Sequence, residues 1–225
     1  MKNDLSSNQK EKENMLAQIA HEIRNPLGGI ELLTNLSKED LAKGQVKEEY
    51  LNKILSEIHG LKSLITSFLN YSRPSPSVPS HTSIPQVINE VKNIFQNDMN
   101  RKNIQLKLEI ETPSVWFDDN HLKQVIINLF SNAVEAANFN SEIAIKSFIN
   151  NSCNYISISN SGIVIPQENI GKIFNPFFTT KKEGTGLGLA ICKKLCSENN
   201  ANLYVESSHE HGTKFTIVKE INNEQ

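Results

Sequence analysis

The chain has 225 residues, more than one average domain, and its 38% hydrophobic and 21% charged residues match a globular protein with a buried core. The formal net charge of -2 supplies no broad basic field for a nucleic-acid backbone or an anionic membrane, so any phosphate binding has to be local. Cys153, Cys192 and Cys196 are odd in number and follow no signal peptide, and no apolar run approaches the roughly 18 residues of a membrane span, so a cytoplasmic location with buried thiols is expected.

Between residues 6 and 73 nothing alternates as a strand does. Leu16, Ile19, Ala20, Ile23, Leu27, Ile30 and Leu33 recur at steps of three and four, which predicts an amphipathic helix. Leu51, Ile54, Leu55, Ile58, Leu61, Ile65 and Phe68 predict a second, and the polar stretch from Ser37 to Lys47, with Gly44 inside it, suits the turn between them. Two helices of this size cannot enclose their own apolar stripes, so pairing with a second copy into a four-helix bundle is expected. Three prolines between Ser72 and Ser80 impose an extended, stiff path. They divide the chain into a hairpin over 1–73, a linker over 74–82 and a second domain over 83–222. In that domain Leu106, Leu108 and Ile110, Ile143 and Ile145, Ile156 and Ile158, Leu203 and Val205, and Phe215 and Ile217 alternate with polar neighbours as half-buried strands. Helices are predicted over 84–101, 119–138 and 187–199, giving a sheet covered on one face by helices.

Three clusters carry chemistry. In His21-Glu-Ile-Arg-Asn-Pro-Leu27, His21 stands one position past the core-facing Ala20 and reaches solvent. A neutral imidazole, with an unperturbed pKa of about 6.5, can attack phosphorus at neutral pH. Glu22 can hold the other ring nitrogen and accept its proton, and Asn25, one turn on, can align a water for the reverse hydrolysis. Pro26 is expected to kink the helix, and Gly28 and Gly29, at roughly 1 kcal/mol each inside a helix, suggest the close approach of another surface. Asn128 and Asn132 lie one turn apart, so both amides project from one face and offer neutral oxygens to a Mg2+ that also takes phosphate oxygens. Finally, Phe174-Asn-Pro-Phe-Phe-Thr-Thr-Lys181 precedes Gly184-Thr-Gly-Leu-Gly-Leu-Ala190. Gly184, Gly186 and Gly188 admit phosphate close to backbone N–H groups, and the helix starting near Leu187 offers an anion its positive end. Lys181 suits a lid that follows the terminal phosphates, anchored by Phe174, Phe177 and Phe178.

Each cluster alone is a weak signal, but together they resemble the boxes of the histidine kinase family. His21-Glu-Ile-Arg-Asn-Pro-Leu27 resembles its phosphoacceptor box, the stretch from Gln124 to Ala136 its N box, and the two later stretches its F and G2 boxes. The boxes stand in the family's order across residues 15 to 218, with a flavour similar to the nitrogen-regulation kinases. The resemblance implies an α + α/β architecture, in which a helical hairpin forms a dimeric four-helix bundle and is followed by an α/β sandwich of the Bergerat ATP-binding type. It implies a protein-histidine kinase of a two-component system, passing the γ-phosphoryl group of ATP to His21 and then to an aspartate on the receiver domain of a response regulator. It also implies nucleotide contacts from Asn128, Asn132, Asn160, Gly162, Phe178, Thr179, Lys181, Gly184, Thr185, Gly186, Leu187 and Gly188, with Asn128 and Asn132 holding Mg2+. With only a short polar lead before Met15, input is expected from a separate sensor or upstream protein.

One box departs from the pattern. Where the family usually has Asp-x-Gly-x-Gly, this chain reads Asn160-Ser-Gly162-Ile-Val164. Asn160 keeps a carbonyl acceptor for the adenine amino group but loses charge assistance, at a cost of about 1 kcal/mol. Val164 is expected to strain the loop if a positive φ is required there. Two readings follow: a live kinase of modest nucleotide affinity, or an inactive ATP domain beside a helical pair that acts as a phosphorelay, a regulator phosphatase or a scaffold. A chaperone or topoisomerase ATPase of the same superfamily fits less well, because it carries a glutamate base where this chain has Asn128.

Overall fold

A computed structural model describes residues 2–42, 47–72, 76–181 and 184–221, with side chains from Leu16 onward. Gly44 and Pro74, which the sequence places in the hairpin turn and the linker, lie outside the described residues. The chain forms two compact units: residues 1–72 with 179–187, and residues 73–178 with 188–225.

The first unit is built on two helices, α1 (Lys2–Ala42) and α2 (Glu48–Ser72). The helix α1 is continuous through Pro26 and longer than the apolar stripe suggests. The expected turn over Ser37–Lys47 is therefore shorter, because Ser37 keeps the helical path by donating its hydroxyl to Leu33 O (2.8 Å). Asp40 and Lys47 pair at 2.9 Å. Of the two stripes only Ile19 is buried, whereas Leu16, Leu27, Leu51, Leu55, Ile58 and Ile65 are exposed, Leu55 by 53%, and the buried residue of α2, Leu64, stands outside the predicted stripe. The hairpin leaves most of its apolar surface uncovered, as the helix lengths dictate. Gly28 has nothing within 4 Å of a built Cβ and Gly29 only the Glu57 side chain at 3.8 Å, so the close approach expected at these glycines is not made within this chain.

The second unit begins with β1 (Ser80–Ser83), α3 (Ile84–Lys102), β2 (Gln105–Ile110), β3 (Ser114–Phe117) and α4 (Asp119–Ala136). It continues through β4 (Glu142–Asn150), β5 (Cys153–Asn160), the single turn α5 (Gln167–Ile170), α6 (Gly188–Glu198), β6 (Ala201–Ser208) and β7 (Gly212–Glu220). The main sheet runs β2-β4-β5-β7-β6, with β2 and β4 parallel and the other pairs antiparallel. Ile143, Ile145, Ile156, Ile158, Phe215 and Ile217 point to one face, and Leu122, Val125, Ile126 and Leu129 of α4 with Ile191 and Leu195 of α6 cover it. Cys192 and Cys196 lie in this layer, where burial pushes the Cys192 thiol up and that of Cys196 up to about 12; they are packing residues. A second sheet, β1 with β3, escapes the periodicity because β1 has no apolar residue at all and only Thr82 turns inward, its hydroxyl on Phe117 O (2.8 Å).

A polar knot fixes the start of this unit. Asn199, 1% exposed, uses every position of its amide. Its Oδ1 accepts from the Asp118 N–H (2.8 Å) and the Ser77 hydroxyl (2.7 Å), while Nδ2 donates to Leu195 O (2.7 Å) and His121 Nδ1 (3.0 Å). Asp118 caps α4 through the His121 N–H (3.0 Å) and takes the Val78 N–H on its other oxygen (2.9 Å). Burial alone would raise the Asp118 carboxyl, but the backbone donors of Val78 and His121 outweigh it and hold the group below the usual aspartate range.

Two outcomes follow from the knot. Asn199→Ala removes four side-chain hydrogen bonds, although Leu195 O keeps the backbone N–H of residue 199, and is expected to lower the unfolding free energy of this unit by about 3 kcal/mol, read from the urea midpoint at unchanged slope. Because the Asp118 carboxyl is held below its unfolded value of 3.8, the ionised group stabilises the fold above that pH, and the contribution is lost as the pH falls through the depressed folded value. Asp118→Asn is therefore expected to flatten the acid limb of the stability curve below about pH 4.

Candidate functional site

On α1 the His21 ring is exposed, and its Nδ1 lies 3.3 Å from the Asn25 amide nitrogen, the side chain one turn ahead. Among the described residues no hydrogen bond or ion pair joins Glu22 to the ring, so the partner that the sequence assigns to Glu22 is supplied by Asn25. Both side chains stand on the exposed surface, and Ala20, which the sequence reading turned toward the core, is exposed as well.

On α4 the two asparagines are half-buried on one helix. Asn128 is held from both sides: its Oδ1 accepts from Gln124 Nε2 (3.2 Å) and its Nδ2 donates to Gly188 O at the start of α6 (3.2 Å). That leaves one Oδ1 lone pair uncommitted. Gln124 is a positioning residue that the sequence reading passed over, although its place four residues before Asn128 was legible. The described residues contain no group of three His, Cys, Asp or Glu side chains able to hold a metal. Two neutral amide oxygens still fit Mg2+, which takes few protein ligands and completes its shell with phosphate oxygens and water.

The far end of α4 organises the altered box. No basic residue stands in its last turn, and Lys102 of α3 supplies the missing charge, donating to Val134 O (2.8 Å), Glu135 O (2.8 Å) and Ala137 O (3.1 Å). The loop after β5 docks on this end through Ile163 N–H to Ala136 O (2.9 Å) and Asn138 N–H to Ser161 O (3.3 Å). Gly162 sits at φ 147°, and a Cβ there would lie 2.0 Å from Ala136 O. Val164 is not among the residues of positive φ, so the strain expected from its branched side chain does not arise. Asn160 is 5% exposed, with its Nδ2 buried and without a hydrogen-bond partner, a donor that costs about 1–3 kcal/mol when left unmet. A polar group orphaned at this position is what a bound base would satisfy.

Of the remaining predicted residues, Phe178 and Gly188 belong to the sheet unit with Asn128, Asn132, Asn160 and Gly162. Thr179, Lys181, Gly184, Thr185, Gly186 and Leu187 belong to the unit of the helical hairpin. In this segment Thr179 Oγ1 accepts from the Lys181 N–H (3.0 Å) and Thr185 Oγ1 from the Leu187 N–H (3.4 Å), two hydroxyl turns that shape the loop. Phe174, half-buried, packs edge-on to Phe215 at 6.5 Å, Phe177 is buried at φ 64°, and Phe178 is half-buried. A cavity of about 290 Å³ between α3 and α4 contains none of the predicted residues, and Lys102, Arg101 and Glu135 on its wall are engaged with protein groups.

Residues 11–76 match the family model of the His Kinase A (phospho-acceptor) domain, and residues 117–223 that of the Histidine kinase-, DNA gyrase B-, and HSP90-like ATPase. A solved catalytic domain of the histidine kinase ThkA is 35% identical, with 64% of this chain covering 96% of that one at a TM-score of 0.58. The chain belongs to the histidine kinase family. The structure of histidine kinase ThkA in complex with response regulator protein TrrA is 31% identical and matches 99% of this histidine kinase chain and 67% of that chain, with a TM-score of 0.78. Sporulation kinase E of Bacillus subtilis is 33% identical over 212 residues, which are 91% of this chain and 28% of that protein. The signal transduction histidine-protein kinase AtoS of Escherichia coli is 32% identical over 211 residues, 92% of this chain and 34% of that protein. The histidine kinase chain thus spans about a third of the length of these two relatives. No described helix is long and apolar enough to cross a membrane.

In this kinase chain Gly162→Ala puts a methyl group against a backbone oxygen at a φ that side chains rarely adopt. We expect a loss of about 2–4 kcal/mol of stability in the sheet unit, checked by thermal unfolding against Gly171→Ala, which meets nothing within 4 Å.

Proposed function

We propose that the chain is the catalytic core of a two-component histidine kinase, which moves the γ-phosphoryl group of ATP to His21 and then to an aspartate of a response-regulator receiver domain. The observation that carries this reading is the His21 imidazole, exposed on α1 with Nδ1 engaged by the Asn25 amide at 3.3 Å and no hydrogen bond to Nε2 among the described residues. For attack, Nε2 must hold a lone pair and Nδ1 the proton. Asn25, with its amide turned so that Oδ1 faces the ring, accepts the Nδ1–H and fixes that tautomer. Nε2 then bonds to the γ-phosphorus as the bond from that phosphorus to the bridging oxygen breaks, and ADP departs with the electron pair. The ring proton, acidified by the new N–P bond, leaves to solvent or to Glu22. In the second transfer Nδ1 takes a proton back from solvent, a receiver carboxylate oxygen attacks the phosphorus and the N–P bond breaks, returning neutral His21. Asn25 also suits alignment of a water for dephosphorylating the regulator.

Within the nucleotide site, Asn160 and Gly162 receive the base. Backbone N–H groups of Gly184, Thr185, Gly186, Leu187 and Gly188, with the N-terminus of α6, receive phosphates. Phe178, Thr179 and Lys181 form the segment that closes over them. Mg2+, held by Asn128 and Asn132, supplies charge neutralisation to the phosphates when bound. The exposed apolar rows of α1 and α2 support a homodimer, since a second copy covers them in a four-helix bundle.

Incubation with γ-labelled ATP and Mg2+ is expected to give an acid-labile, base-stable label on the protein. His21→Ala removes it, and Asn25→Ala slows its appearance by about tenfold, the worth of one hydrogen bond of about 1.4 kcal/mol. Label that survives in His21→Ala, or none on the wild type at millimolar ATP, overturns the reading.

A further inference from the structure

An inference about base selection rests on the nucleotide reading above and starts from the Asn160 amide. The β5 alternation puts Asn160 on the same sheet face as Ile156 and Ile158, under the helices, with 5% of its surface exposed. Its Nδ2 is buried and has no acceptor in the protein. The backbone has no freedom to find one, because a Cβ on Gly212 would lie 2.1 Å from Asn160 O, and Gly162 two residues on is pressed against Ala136 O. The bridge between Gly162 and Ala137 ties this residue to the end of α4, about one turn past Asn132. A buried donor held this firmly, two residues from the backbone bridge to the end of α4, needs its partner from a ligand.

An amide presents a donor and an acceptor side by side, whereas a carboxylate presents two acceptors. Adenine offers the matching pair, its 6-amino group donating to Oδ1 and its N1 accepting from Nδ2. A 6-oxopurine offers the same pair reversed, N1–H donating and O6 accepting. The terminal amide torsion has two nearly equivalent settings, and a half-turn converts one pairing into the other. We propose that Asn160 relaxes base selection in this site, so that a 6-oxopurine nucleoside triphosphate is bound alongside ATP. An aspartate in the same place accepts from the adenine amino group but opposes the O6 lone pairs.

The test is competition for the full chain, in Mg2+ buffer, between a fluorescent N-methylanthraniloyl ATP and unlabelled ATP or inosine triphosphate. Inosine triphosphate is expected to displace the probe within about tenfold of ATP in the wild type, and Asn160→Asp to widen the ratio toward ATP by about tenfold or more. The wild-type ratio decides the matter even if the variant does not fold. Binding of ATP with inosine triphosphate weaker by more than about a hundredfold overturns the inference alone, as does an unchanged ratio in folded Asn160→Asp. Failure of the probe and of ATP to bind at millimolar concentration overturns the inference and the nucleotide reading together.

Discussion

Helix α4 is held at both ends by polar groups that arrive from elsewhere in the chain. At its start, Asp118 caps the helix while the buried Asn199 amide ties that cap to Ser77, His121 and the end of α6. At its finish, Lys102 reaches across from α3 to three carbonyl oxygens, and the loop after β5 docks on Ala136 and Asn138. Neither α4 nor α6 carries a basic residue in its last turn, and each receives one from another element, Lys102 for α4 and Lys219 of β7 for α6, whose Nζ lies 2.6 Å from Asn199 O. Burial pulls the Lys219 ammonium below the usual lysine range, so this contact trades solvation for a fixed helix end. A helix pinned in this way presents Asn128 and Asn132 with little rotational play.

The same fixture explains the altered box. Gly162 is indispensable because the loop presses its backbone against Ala136, whereas Val164 lies past the constrained point and takes an ordinary conformation. Asn160 is buried and carries an N–H that no described protein group accepts.

The hairpin poses the opposite problem. Its two helices bury only Ile19 and Leu64 well and expose a row of leucines and isoleucines, so its stability depends on what covers them. His21 stands outside that row, and the groups around its ring are few and flexible. This arrangement suits a residue that must meet different partners in turn: a surface imidazole can change tautomer with the rotation of one neighbouring amide, which a buried one cannot do without breaking a packed network.

Sequence alone was enough to place the two helices, the five strands of the main sheet and the motifs on which family membership rests, because each leaves a local trace of period, spacing or composition. It was also enough to bring His21 to the surface. Only the tertiary structure decided how the site is supported. The β1–β3 pair has too little apolar patterning to be seen, the Lys102 and Lys219 caps join residues that are more than 20 positions apart or come from different elements, and the committed amide of Asn199 looks in the sequence like any other polar residue after a helix. The contact of Asn25, not Glu22, with the His21 ring and the close backbone approach at Gly162 likewise show only in the folded chain. Local periodicity records which face a residue presents, but hydrogen-bond partners and close backbone approaches are set by where distant segments meet.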